Sequence, residues 1–223
     1  GVNLVLGFVS PVFIAFVLSI GTTTTMGSIM SLGATGMIVG SIVASAWKVT
    51  AGRVAKLLVA VALLGVALIF AGSSTAVPAI VAGLWLGMLV VPIGSAMSQS
   101  LWMAKVELDV QGRVFAARSA IAQIGQPIAL LLAGPVIDGF FVRLMGGESI
   151  LAGALESIVG VGDHAPYAAF LVMIGVGSIV LAFAGYLYRP LRNLELILPD
   201  VLPDGPTTKE SREEAPVGNP SGG

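Results

Sequence analysis

The chain has 223 residues, of which 56% are hydrophobic and only 10% charged, with a formal net charge of −1. Soluble domains carry about 25% charged residues, so a water-soluble globular fold is excluded, and a net charge this small gives no footing for a nucleic-acid partner. The absence of cysteine excludes disulfides, thiolate metal ligands and cysteine nucleophiles, and the single histidine, His164, leaves no clustered zinc site. No cofactor is implied, and the main partner is the lipid bilayer.

Residues 1–47 contain no Asp, Glu, Lys, Arg or His. A bilayer span needs about 20 apolar residues, so this run holds two. The run begins at Val2, with no initiator methionine and no charged leader before it, which reads as a start inside a longer chain. Breaks at charges, prolines and Gly/Ser/Thr clusters then predict spans near 2–20, 25–47, 54–72, 76–103, 114–137 and 166–188. None alternates apolar with polar residues as a barrel strand does, so the spans are helices. The expected fold is an all-α membrane protein, a six-transmembrane-helix bundle over residues 1–198. The 199–223 segment is rich in Pro, Gly, Ser and charge and is expected to be a disordered cytoplasmic tail.

Basic residues orient the bundle. Lys48, Arg53 and Lys56 follow the second span, Lys105, Arg113 and Arg118 follow the fourth, and Arg189 and Arg192 follow the last. The opposite side has only Arg143. Both termini are therefore expected in the cytoplasm, with the 138–165 connection outside. Within that connection, Gly alternating with Leu, Ile and Val around Glu148 and Glu156 suggests either a short helix at the interface or a plain connector.

In lipid, small residues let helix backbones approach closely where no hydrophobic force drives them together. Gly36, Gly40 and Ala44 in the second span, and Gly83 and Gly87 in the fourth, recur every four residues and are expected packing faces. Polar groups within spans cost about 1–3 kcal/mol or more unless they meet a partner or a water-filled cavity. Gln99, Gln123 and Gln126 are the substrate-cavity candidates. Gln123 and Gln126 share a helix face beside Pro127, which frees a carbonyl, and they either line a cavity or tie neighbouring helices together. Asp138 lies at the outer end of its span, after Gly134 and Pro135. The cytoplasmic stretch holding Glu107, Asp109, Arg113 and Arg118 is either topogenic charge or, with Gly112 allowing a tight turn, a set of ion pairs that holds one conformational state.

This order of elements resembles the second half of a major facilitator superfamily transporter. LGATGMIVGSIVASAW with its basic loop resembles the eighth helix of that fold. KVELDVQGRVFAARSAIAQIGQPIALLLAGPVIDGFF and GYLYRPLRNLELILPD resemble the later helices of bacterial macrolide-efflux and siderophore-exporter permeases. The resemblance implies half of a twelve-helix fold in a bacterial cytoplasmic membrane, completed by an N-terminal six-helix half. It also implies efflux of a small-molecule substrate by alternating access, with a proton moving inward. Gly40, Arg53 and Lys56 fall on the second copy of the superfamily's cytoplasmic loop motif, whose acidic position is Ala44 here. The cytoplasmic gate candidates are thus Arg53, Glu107, Asp109, Arg113 and Arg118. Gly134 and Pro135 resemble an antiporter Gly-Pro signature transposed to the pseudo-symmetric helix and join the helix-packing candidates. Readings from other classes are a six-helix ABC permease subunit, which needs cytoplasmic coupling helices, and a structural or partner-binding subunit. An intramembrane enzyme would need His, Asp or Glu at mid-span, and none is there.

Overall fold

The structure is a computed structural model that describes residues 2–47, 52–106, 108–147 and 149–188. Lys48, Glu107, Glu148, Arg189, Arg192 and the 199–223 tail lie outside the described residues, as do the side chains of Lys105 and Asp109. Among the described residues every regular element is helical: α1 Val2–Ile20, α2 Thr23–Ala46, α3 Arg53–Gly72, α4 Val77–Lys105, α5 Leu108–Val136, α6 Val142–Met145, α7 Ile150–Val159 and α8 Ala165–Leu187. A π-helical turn, Ile137–Phe141, joins α5 to α6.

Five helices are long and apolar enough to cross a membrane, namely α2, α3, α4, α8 and the run through α5, while the described apolar part of α1 is the shorter Gly7–Ile20. The outward faces fit a lipid solvent. On α5, Ile121, Ile124 and Leu131 are 74, 61 and 76% exposed along one stripe, an area of bare hydrocarbon that a water-facing helix would not carry. The 36 residues of Val110–Met145 would extend about 54 Å at 1.5 Å per residue, well beyond the roughly 30 Å hydrocarbon layer. Hydropathy places the start of this helix at 114, yet it begins at Leu108. The charged Leu108–Arg113 stretch is helical too, because a helix continuing into water needs no apolar run. Gly112 therefore sits inside α5 and not in a turn.

Glycine sets the packing. A Cβ added at Gly36 would collide with the Trp85 carbonyl oxygen, and one at Gly40 with that of Leu89, so α2 lies backbone to backbone on α4. The contacts Gly33–Leu84, Gly36–Trp85 and Gly40–Leu89 rise together in number, so these two helices run parallel. On another face of α4, a Cβ at Gly83 would come within 2.7 Å of Ala71, one at Gly87 3.7 Å from Ala67 and one at Gly94 3.5 Å from Ala60. Here the numbers run oppositely, so α3 is antiparallel to α4. The third close approach is reciprocal: a Cβ at Gly175 would stand 2.6 Å from the Gly65 carbonyl and 2.7 Å from Ile69, and one at Gly65 would meet the Gly175 carbonyl and, at 2.8 Å, Ile179.

The main neighbours are α2 with α4, α4 with α3, α3 with α8, α8 with α1, and α1 with α5. The spatial order α2–α4–α3–α8–α1–α5 maps onto itself when α1, α2 and α3 are exchanged with α4, α5 and α8. The α3/α8 crossing, where Gly65 and Ile69 exchange with Gly175 and Ile179, lies at the centre of that exchange. The core runs beneath it, from Phe16 and Val17 on α1 through Ile29, Ile80 and Leu171, all 0% exposed. Phe170 of α8 fills the junction with α1 and the π-helical turn after α5, its ring 6.3 Å from Phe8 and 5.4 Å from Phe141.

Gly134 and Pro135 are exposed, and a Cβ at Gly134 would meet nothing within 4 Å, because this face of α5 lies at an end of the array. They form no packing face among the described residues. Gln99, Gln123, Gln126 and Asp138 are exposed as well, and no polar residue is buried among the described residues. The 138–165 connection does contain a helix, α7, whose N-cap Ser149 accepts a hydrogen bond from the Ala152 amide at 3.0 Å and which ends at Gly160 with φ +79°.

Gly40→Ala should destabilise the protein by about 1–3 kcal/mol, as over-packing does, because neither the Leu89 carbonyl nor Pro92 can give way. Gly134→Ala should be neutral or slightly stabilising, since an exposed helical glycine costs about 1 kcal/mol against alanine. Graded detergent unfolding of the two variants beside the parent measures both.

Candidate functional site

The site lies where α4 turns into α5. Gln111, one turn into α5, reaches back to the end of α4, its Nε2 donating to the Val106 carbonyl at 3.0 Å and the Met103 carbonyl at 3.2 Å. It thereby satisfies terminal carbonyls that have no helical partner. This cap fixes the entry of α5, so that Arg118, two turns further on, faces α4. Its Nη2 donates to Ser98 Oγ at 2.8 Å, and its guanidinium lies over the Trp102 ring, 5.3 Å from the centroid. Such a stacked cation is held by the negative face of the ring.

Above this clamp is a partly open cavity of about 400 Å³. α3 contributes the aliphatic wall of Leu57, Val61 and Leu64, and α4 contributes Ser95, Ser98 and Gln99. Phe115, Arg118 and Ser119 of α5 close the third side. The volume lies within the range of small-molecule sites, about 300–1,000 Å³.

Against protein-family models, curated proteins and solved structures, the chain has no match. What the cavity can do follows from its own residues.

Of the three glutamines, Gln99 lines this cavity and Gln123 and Gln126 do not. The Cα and Cγ of Gln126 would lie 3.1 and 3.4 Å from a Cβ on Gly7, so this residue abuts α1 although it remains exposed. Gln123 is exposed on the same helix, the last of the array. Pro127 lies within the continuous α5 and leaves the Gln123 carbonyl without its usual helical donor.

The gate candidates also separate. Arg53 opens α3 after Gly52, whose φ of +70° is a left-handed conformation suited to glycine. Arg113 is exposed, and among the described residues no ion pair joins Arg113 or Arg118 to a carboxylate. Arg118 is held by a hydroxyl and an aromatic face, while the acidic members of the expected ion-pair set, Glu107 and the side chain of Asp109, lie outside the described residues. A loop assignment for residues 104–118 hid this, since side chains on two helices can stack where those of a loop would be solvated. Ser95, Ser98 and Trp102, absent from the candidates drawn from sequence, share one face of α4 with Gln99 at three- and four-residue spacing. That spacing was the signal available.

Removing Arg118 or Trp102 should each lower stability, and the double substitution Arg118→Gln with Trp102→Phe should show a coupling of about 0.5–2 kcal/mol. Chemical unfolding of the four proteins of this cycle gives the coupling directly, and simple additivity would show that the stacked pair does not interact.

Proposed function

We propose that the chain is a six-helix half of a secondary transporter, with α1 as its sixth span and both termini in the cytoplasm. In this proposal it works in a bacterial cytoplasmic membrane and exports a small molecule by alternating access in exchange for protons. The observation that carries the proposal is the exchange relation between α1–α3 and α4, α5 and α8. Three spans are an odd number, so a second set of three enters the bilayer from the opposite side. Inverted repeats of this kind underlie many secondary transporters, whose substrate sites lie between the repeats and whose halves rock about them.

Three further features support it. Glycine-lined crossings let rigid helices pack closely in lipid. The ends of the array, α2 and α5, leave flanks uncovered, and the polar residues Gln123 and Gln126 on α5 are suited to a water-filled path shared with a complementary half. The cavity beside Arg118 opens among α3, α4 and α5 at the basic end of the bundle, where substrate from the cytoplasm would enter. Alternating access then requires the α4–α5 hairpin to close and release the cytoplasmic mouth, with the Arg118–Ser98 and Arg118–Trp102 contacts holding one of the two states. The complementary six-helix half of the same transporter is the expected protein partner.

Together with that half, the protein should expel an accumulated small molecule from cells at a rate that collapses when a protonophore removes the proton gradient. Gln99→Ala should shift the range of compounds expelled while leaving membrane insertion intact. Efflux that persists without the gradient but requires ATP would favour a pump of another class, and unchanged export of every compound by the Gln99 variant would remove Gln99 from the pathway.

A further inference from the structure

We infer that the cavity between α3, α4 and α5 binds an amphipathic anion, with an oxyanion held by Arg118 and an apolar body against α3. The inference deepens the transport proposal and rests on it for the claim that the cavity is a substrate site, while the binding chemistry stands on the residues themselves.

The polarity of the lining is one-sided. Leu57, Val61 and Leu64 of α3 form a wall without a polar group, whereas the polar lining residues Ser95, Ser98, Gln99, Arg118 and Ser119 all come from α4 and α5, with Ser98 bonded to the guanidinium. Among the described residues, Arg118 is the only charged group lining the cavity, and no carboxylate lines it. A cation near the edge of a low-dielectric layer, with no carboxylate partner among the described residues, is costly and marks a place where an anion is favoured. Stacking on Trp102 fixes the plane of the guanidinium and shields one face. A guanidinium has five N–H donors, and among the described residues only Nη2 is engaged, by Ser98. The remaining donors can hold a carboxylate or phosphate through paired hydrogen bonds, the geometry in which arginine exceeds lysine. At roughly 30 Å³ per water, 400 Å³ has room for about 13 water volumes, hence a ligand on the order of ten heavy atoms. A free organic acid and the head of an anionic lipid both carry this chemistry.

The test uses the protein in nanodiscs of zwitterionic phosphatidylcholine, titrated with 4-phenylbutyrate and with its neutral isostere 4-phenylbutanamide. The acid should bind at least tenfold more tightly than the amide. Arg118→Gln should abolish that preference and Arg118→Lys should retain part of it. Val61→Phe narrows the cavity from the α3 side without touching the clamp, and should weaken the acid several-fold in a protein of normal unfolding temperature. In the lipid arm, the protein is purified from membranes containing phosphatidylglycerol and its retained lipid is measured. Retention that is lost in Arg118→Gln assigns the anion to lipid, and acid preference without such retention assigns it to a free solute. Equal binding of acid and amide with no Arg118-dependent lipid overturns the inference, as does an acid preference that survives Arg118→Gln. An intact anion preference without any efflux would remove the transport proposal alone, whereas efflux without anion preference would remove this inference alone.

Discussion

In lipid, two helices gain little by hiding leucine from a solvent that is itself hydrocarbon, so what holds them together is how closely their backbones can approach. In this chain that approach is set by glycine. Gly36 and Gly40 place α2 on the backbone of α4, Gly83 admits Ala71 of α3, and Gly65 and Gly175 meet across the α3/α8 crossing. The spatial order of the helices depends on these contacts. Where glycine or alanine is missing from a face, as on the outward side of α5 with Ile121 and Leu131, no neighbour is found and the surface is left to lipid.

The array has two uncovered ends and a polar concavity among α3, α4 and α5. Those ends, α2 and α5, are exchange partners, which is why both are open: each is the outermost member of its set of three. The concavity follows from the same arrangement. α4 gives one face to α2 and another to α3, which leaves Ser95, Ser98 and Gln99 on a third face with no helix packed along it. Arg118 reaches across to it from α5 and bonds Ser98, and the Gln111 cap at the turn aims that reach. A cation held by a ring and a hydroxyl is easier to release than one in a buried ion pair, where losing one partner costs about 3–5 kcal/mol. That would suit the opening and closing that the proposed alternating access requires of this hairpin.

Much of the helix plan was legible in the sequence because hydropathy reports what a helix requires of lipid. The α2 and α4 glycines at four-residue spacing pointed to their faces, although not to which helix would lie on each. Hydropathy was blind where the helix leaves the bilayer. The charged Leu108–Arg113 stretch looks like a loop by composition, and Arg118 was placed with it. Gly134 and Pro135 show the opposite error, since a small-residue pattern gives a close approach only where another helix is present. The glutamines were legible as polar groups within apolar segments, but only the positions of α3 and α4 separate Gln99, in the cavity, from the exposed Gln123 and Gln126, which do not line it. The reciprocal crossing of Gly65 and Gly175 could not be read from either segment alone, because it is a relation between two helices about 110 residues apart.

The central claim is that the two sets of three helices are inverted relative to one another, so corresponding connections must lie on opposite sides of the membrane. The absence of native cysteine permits a direct measurement with single cysteines and a membrane-impermeant maleimide. Thr23→Cys, after α1, and Gly153→Cys, in α7, should label from outside intact cells. Trp47→Cys, after α2, and Gly112→Cys, near the α4–α5 turn, should label only once the membrane is opened. Labelling of Thr23→Cys and Gly112→Cys from the same side would contradict the inverted arrangement.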